Sequence, residues 1–156
     1  MTQTAVALST DARAAIVEAL NQSVAETAVT TMLAQNFHWN VTGMAFGPLH
    51  DLFQKIYEDH FVAQDDLAER IKAIKGHAEG TLACMLKRSK IKEHDGHASD
   101  KEMIKAMQEA QETLAATLAG AGALAAEHGD TLTEDLCIAR GQEHEKFAWF
   151  LRSHLA

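Results

Sequence analysis

A single proline stands in this chain of 156 residues, 28 of which are alanine. Proline breaks helices because its ring removes an N–H and collides with the preceding turn, while alanine is the strongest helix former. A chain this poor in one and rich in the other is free to run in long helices. A β-rich fold would need many tight turns, which consume proline and glycine. The hydrophobic fraction of 47% is that of a globular chain rather than a disordered one. The length fits one domain whose core needs neither disulfides nor structural zinc.

Cap residues and periodicity divide the chain. Ser9, Thr10 and Asp11 are helix-cap residue types ahead of a periodic run. Ile16, Leu20, Val24, Thr27, Thr31 and Ala34 then recur at three- and four-residue spacing, which predicts a first helix over 11–37. Residues 1–10 read as a flexible lead and 11–156 as one domain. Pro48 suits a first helical turn, where its fixed φ is already helical. Leu49, Leu52, Phe53, Ile56, Tyr57, Leu67, Ile71 and Ile74 carry a second helix over 48–75, closed by Gly76. A short helix fits 81–88. Ser99 and Glu102 have capping-box spacing and open a third long helix to about Glu127. Gly120 and Gly122 lie inside it at a cost of about 1 kcal/mol each against alanine, which predicts a close helix contact as compensation. Gly129 ends that helix. Thr131 and Glu134, again at capping-box spacing, predict the start of a last helix reaching His154.

Four long helices, with a short one in the long connection between the second and third, describe an all-α fold: a four-helix bundle with one crossover, as in ferritin-like folds. Only two cysteines occur, Cys84 and Cys137, 53 residues apart, without metal or disulfide-framework spacing. They read as free thiols of a reducing cytoplasm. No signal-peptide pattern and no run of ~18 apolar residues occurs, so a soluble cytoplasmic protein without membrane contact is expected. The 14 basic and 22 acidic residues give a net charge of −8, which repels nucleic acid unless a local basic arm offsets it.

Nine histidines direct attention to metals. A di-iron site inside one bundle uses Glu-x-x-His pairs on two helices, and this sequence contains no Glu-x-x-His. The other constellation is His38, His50, Asp65 and Glu69. His38 ends the first helix, His50 begins the second, and the loop between them turns the chain back. Asp65 and Glu69 are four apart, on one helix face. Two imidazoles and two carboxylates suit iron, which accepts both nitrogen and oxygen donors. Fifteen residues separate His50 from Asp65 on one helix, which is roughly 22 Å, beyond any shared ion. A twofold dimer with antiparallel second helices would bring the histidines of each chain to the carboxylates of the other. Taken by spacing alone, the same residues also fit helix-end caps and a solvated acidic face.

The run Asn36-Phe37-His38-Trp39-Asn40-Val41-Thr42-Gly43, followed by Phe46, Leu49-His50, Phe53 and Tyr57, resembles the Dps family, the mini-ferritins named for a DNA-binding protein from starved cells. Asp65-Asp66-Leu67-Ala68-Glu69-Arg70-Ile71 carries the same resemblance, which resumes in the last helix with Asp130, Thr133, Asp135 and Lys146-Phe147-Ala148-Trp149-Phe150. It implies a hollow homododecamer and a ferroxidase site formed by His38 and His50 of one subunit with Asp65 and Glu69 of its twofold neighbour, with room for two irons. It further implies Fe(II) oxidation, with hydrogen peroxide preferred to dioxygen, and storage of ferric mineral in the cavity. Trp39 and Tyr57 are expected near the site as electron donors, against the plainer reading of both as packing.

Two departures from the family pattern stand out. A carboxylate often follows the second histidine by four residues, and here that position is Gln54, a poorer ligand for a second ferrous ion. The lysine-rich tail of many DNA-binding members has no counterpart, since the first basic residue is Arg13. Asp130, Glu134 and Asp135 fall where the family lines a threefold iron-entry pore, or else they cap the last helix. The run Glu93-His94-Asp95-Gly96-His97 could hold a surface metal or form an ordinary polar loop. The sequence therefore reads first as an iron-oxidising storage protein. A nucleoid-associated, DNA-protecting shell is the alternative, and a helical interaction module without metal chemistry is the third class.

Overall fold

A computed structural model describes residues 7–156, and among the described residues the secondary structure is all helix. α1 spans Thr10–Asn40, α2 Phe46–Ala73, α3 Leu82–Arg88, α4 Asp100–Glu127 and α5 Thr131–Leu155. α1 pairs with α2, α4 with α5, and α1 joins the two hairpins by packing on α4, while α3 rests on α1 within the crossover.

The helix ends follow from where unpaired backbone groups find partners. The Ser9 hydroxyl accepts the Ala12 N–H, so α1 begins at Thr10, and residues 9–10 leave the expected flexible lead to become its cap and first residue. Residues 1–6 of that lead lie outside the described residues. α1 continues to Asn40, past the expected end at Phe37. The Asn40 amide bonds back to both the carbonyl and the side chain of Asn36, and the Val41 N–H reaches the Phe37 carbonyl. This extension carries His38 into the last turn instead of leaving it at the end.

α2 starts at Phe46, two residues before Pro48. A proline in the first turn is tolerated, because those N–H groups have no intrahelical partner. At the other end, Lys75 rather than Gly76 takes the left-handed conformation, with φ 69°. Gly76 is required by space, since a Cβ there would collide with Val17 and Ile71. The capping box of Ser99 and Glu102 forms on α4 as its spacing predicts. The one expected from Thr131 and Glu134 does not form. Asp130 caps α5 instead, accepting from the Thr133 N–H, because Arg70 fixes its carboxylate in place. Of the two glycines inside α4, Gly122 meets the expected close contact, with Cys137 3.2 Å from where a Cβ would stand, and Gly120 faces open space.

The core falls into two apolar clusters. One gathers Phe37, Leu49, Phe53, Ile56, Met103, Met107 and Leu151 at the α1–α2 loop end, and the other gathers Ile16, Leu20, Leu67, Ile71 and Leu118 at the opposite end. Each large side chain contributes about 1.5–3 kcal/mol by burial, and the tilted pair Phe37–Phe53, centroids 5.6 Å apart, anchors the end that positions the site.

Candidate metal centre

The loop of residues 41–45 turns on Gly43, whose φ of 105° favours glycine, and brings the end of α1 back onto the start of α2. His38 and His50 meet across it. Their rings stack with centroids 3.7 Å apart and planes inclined by 19°. His38 Nδ1 lies 2.8 Å from the His50 carbonyl oxygen, and His50 Nδ1 lies 2.8 Å from the His38 carbonyl oxygen. A carbonyl only accepts, so both Nδ1 atoms donate. Each neutral ring then holds its lone pair on Nε2, the tautomer that a metal requires. Phe46 stacks on His50 at 5.1 Å and Tyr57 stands edge-on to His38 at 5.3 Å, so aromatic groups hold both rings.

Ring geometry limits what the pair can bind. An imidazole donates in its own plane, at a metal–nitrogen distance of about 2 Å. Two stacked rings with centroids 3.7 Å apart and planes inclined by only 19° do not converge on one ion at that range. The arrangement suits two ions, one per ring.

Asp65 and Glu69 are exposed on α2, which runs unbroken from His50 to both of them. The four expected ligands are therefore not assembled within one chain. The histidines are brought together and the carboxylates stay apart. Among the described residues, no group of three His, Cys, Asp or Glu side chains gathers closely enough to hold a metal. His50, Gln54, Glu58, Phe61, Asp65 and Glu69 recur at three- and four-residue intervals along one broad face of α2. The Gln54 amide nitrogen donates to Glu58 at 2.7 Å, which leaves its carbonyl oxygen as the atom able to ligate.

Trp39 is 63% exposed and lines an apolar groove, whereas Tyr57 touches the histidine pair. In the loop of residues 93–97, His94 Nδ1 accepts from the Gly96 N–H, so its proton sits on Nε2, opposite to His38 and His50. The His94 ring packs on Phe37, and Asn36 holds the His94 carbonyl at 2.6 Å, so the loop straps the end of α1. Asp130 is buried and bonded to Arg70 and Thr133, which leaves Glu134 and Asp135 as the freer carboxylates at that helix start. Burial pushes the Cys137 thiol up to about 11, so it packs as an inert apolar group.

One cluster was missed from the sequence. Asp59, His60, Gln111, Arg140 and His144 form a hydrogen-bonded group in mid-bundle, buried except at Asp59, whose side chain is 27% exposed. Its signal was positional. His60 falls in the apolar stripe of Ile56, Ala63 and Leu67, and His144 in that of Cys137, Ala148 and Leu151, where a polar residue must find buried partners.

The comparisons with known proteins agree with the fold. The family described as Ferritin-like domain matches residues 17–156. General stress protein 20U of Bacillus subtilis (strain 168) is 32% identical over 140 residues, covering 90% of this chain and 97% of that one. DNA protection during starvation protein 2 of Bacillus anthracis is 34% identical over 140 residues, covering 90% and 96%. The Dps protein of Bacillus brevis superposes with a TM-score of 0.92 at 34% identity, covering 96% of this chain and 100% of that one. The Dps protein of Vibrio cholerae O1, described as a member of a broad superfamily of ferritin-like diiron-carboxylate proteins, superposes with a TM-score of 0.92 at 29% identity, covering 100% and 98%. With a ferritin-like bundle along its whole described length and Dps relatives in both sequence and structure, the chain belongs to the Dps family of ferritin-like proteins.

Proposed function

We propose that the protein binds Fe(II) at sites shared between two copies of the chain, oxidises it, and stores the ferric product inside a closed shell of twelve. The observation that carries this reading is the reciprocal lock of His38 and His50, which offers two Nε2 lone pairs and no carboxylate. Fe(II) prefers a mixed nitrogen and oxygen set, and the exposed carboxylates of Asp65 and Glu69 supply oxygen from a twofold neighbour.

The surface supports such a neighbour. Opposing His50 to Asp65 of the partner on antiparallel α2 helices puts the axis between Tyr57 and Glu58. Phe61, 72% exposed, and Val62, 59% exposed, lie beside that axis. A groove of about 480 Å³ is lined by Met32, Trp39, Leu82, Met85 and Leu86, with Gln64 of α2 on its wall. Exposed apolar surface of this kind is what a second copy would cover.

In this reading His38 and His50 each hold one iron, Asp65 and Glu69 complete the shell of ligands, and the Gln54 carbonyl oxygen gives the second iron a neutral, weaker partner. Two ferrous ions together deliver the two electrons that reduce one hydrogen peroxide to water, so hydroxyl radical is not released. Protection of DNA, the property for which several relatives are named, then follows from removal of Fe(II) and peroxide. It needs no contact with DNA, which a chain of net charge −8 disfavours.

The test is anaerobic Fe(II) loading of the assembled protein, followed by separate pulses of peroxide and air while ferric absorbance is recorded. Two irons oxidised per peroxide, faster than in air, is the expected result. Oxidation at the rate of buffer alone would overturn the reading.

A further inference from the structure

Between the two apolar clusters the bundle core is polar. Donor and acceptor roles there can be assigned throughout, because a guanidinium only donates and a carboxylate only accepts. Arg140 donates through Nη1 and Nη2 to the two oxygens of Asp59, at 3.1 and 2.6 Å. His60 Nδ1 donates to Asp59 Oδ2 at 3.0 Å. The Nε2 of a neutral His60 then accepts, so the Gln111 amide nitrogen donates to it at 3.0 Å. Gln111 Oε1 accepts in turn from His144 Nδ1 at 2.7 Å. His144 Nε2, with its lone pair, faces Arg140 Nη2 at 3.5 Å and closes the ring.

With both imidazoles neutral every contact in this ring matches a donor to an acceptor, and Gln111 Oε1 also stands 3.2 Å from His60 Nε2. A proton added to His60 Nε2 therefore has an acceptor at hand, because one carbonyl oxygen can accept from both histidines. A proton added to His144 Nε2 has none: it meets Arg140 Nη2, which only donates. Two donors then stand face to face, next to side chains with no exposure to water.

The ring also has a mechanical position. α2 and α5 approach each other much less than the partners within either hairpin do. Polar bridges span the seam: Arg70 to Asp130 and Thr133 near one end, and the ring at mid-height. We propose that the ring of Asp59, His60, Gln111, His144 and Arg140 is an acid-operated latch on the α2–α5 seam, closed while His144 is neutral and opened when it is protonated.

The charges acting on the two rings come from Asp59 on α2 and Arg140 on α5, and on His144 above all from His60 itself. α4 presents the neutral Gln111. On α1, Thr27 and Thr30 are bonded to their own helix, while the buried Glu26 accepts from Gln22 and the Lys90 N–H through Oε1 and leaves Oε2 without a partner. Burial is the largest influence on both histidines and lowers their pKa values, which favours the closed ring. Burial works to raise the Asp59 carboxyl, but the hydrogen bonds from His60 and Arg140 outweigh it and hold it well below the usual range. The sign follows by linkage. An unfolded or opened chain takes up protons at these histidines below about pH 6.5 while the closed ring does not, so stability is present above that pH and declines as pH falls below it.

The experiment is amide hydrogen exchange by mass spectrometry on the assembled protein from pH 7 to pH 4, corrected for intrinsic rate. Peptides from mid-α2 and α5 should lose at least tenfold protection before those covering Phe37 do. His144→Gln should flatten that pH dependence. A second measurement stands even if that variant folds poorly. Exchange of the imidazole C2 proton in the unaltered protein should show His144 titrating well below the ordinary histidine range. Seam protection that tracks Phe37 at every pH, an unchanged profile in the folded variant, or ordinary titration of His144 would each overturn the latch.

Discussion

His38 and His50 hold each other through backbone carbonyls, each Nδ1 lying 2.8 Å from the other residue's carbonyl oxygen. The acceptor belongs to the main chain, so it survives substitution of the side chain. His38→Ala keeps the carbonyl that fixes the His50 tautomer, and His50→Ala does the same for His38. Since each ring suits a separate ion, either variant should lose one iron per site and keep the other. Anaerobic Fe(II) titration should saturate at half the unaltered stoichiometry. Loss of both ions, or of neither, would contradict one ring per ion.

Gln54 lies one turn from His50 and offers a neutral oxygen. Gln54→Glu adds an anionic donor on the same face. It should tighten binding of the second iron by roughly tenfold, the equivalent of about 1.4 kcal/mol. Calorimetry with unchanged affinity and stoichiometry would remove Gln54 from the account.

Arg70 joins α2 to the cap of α5 through Asp130 and Thr133. Arg70→Met leaves the Asp130 carboxylate buried without its cation. The loss should be about 1.5–3 kcal/mol, the range for hydrogen bonds to charged groups. Arg70→Met with Asp130→Asn should recover part of it, because the amide oxygen still caps Thr133 while the buried charge is gone. Thermal unfolding of the single and double variants measures both, and equal melting temperatures for all three proteins would refute the coupling.

Twelve chains at −8 each would carry −96. Binding to duplex DNA should be negligible near ~150 mM salt, where surface electrostatics reach only about 8 Å. A gel shift showing tight complexes without added divalent metal would contradict this.

The helices were legible because their signals are local. Alanine content, apolar spacing and the Ser99–Glu102 box need no knowledge of the rest of the chain. Boundaries failed where a distant group decided them. Asp130 became the cap of α5 because Arg70, 60 residues earlier, holds it, and α1 gained a turn because Asn36 and Asn40 meet the loop after α3. The meeting of His38 and His50 across the α1–α2 turn was legible in the sequence, but their tautomers were not, since the carbonyls that set them carry no side-chain signature. The mid-bundle ring escaped for a related reason. Asp59, Gln111 and Arg140 are individually ordinary surface types, and only packing brings them to the two histidines.

The length of α2 makes the shared site testable by complementation. His50 and Asp65 lie fifteen residues apart on one unbroken helix, roughly 22 Å, so no chain can complete its own site. One variant carries His38→Ala and His50→Ala, and the other carries Asp65→Ala and Glu69→Ala. Each alone should lose rapid iron oxidation, because every site in its assembly lacks half its ligands. The two are then dissociated, mixed and reassembled. In a mixed dimer the intact histidines of one chain face the intact carboxylates of the other, while the second site is doubly broken. Random pairing makes about half the dimers mixed, each with one of two sites restored, so roughly a quarter of the unaltered activity should return. A mixture verified to contain mixed dimers, yet as inactive as its parents, would exclude a site built from two chains.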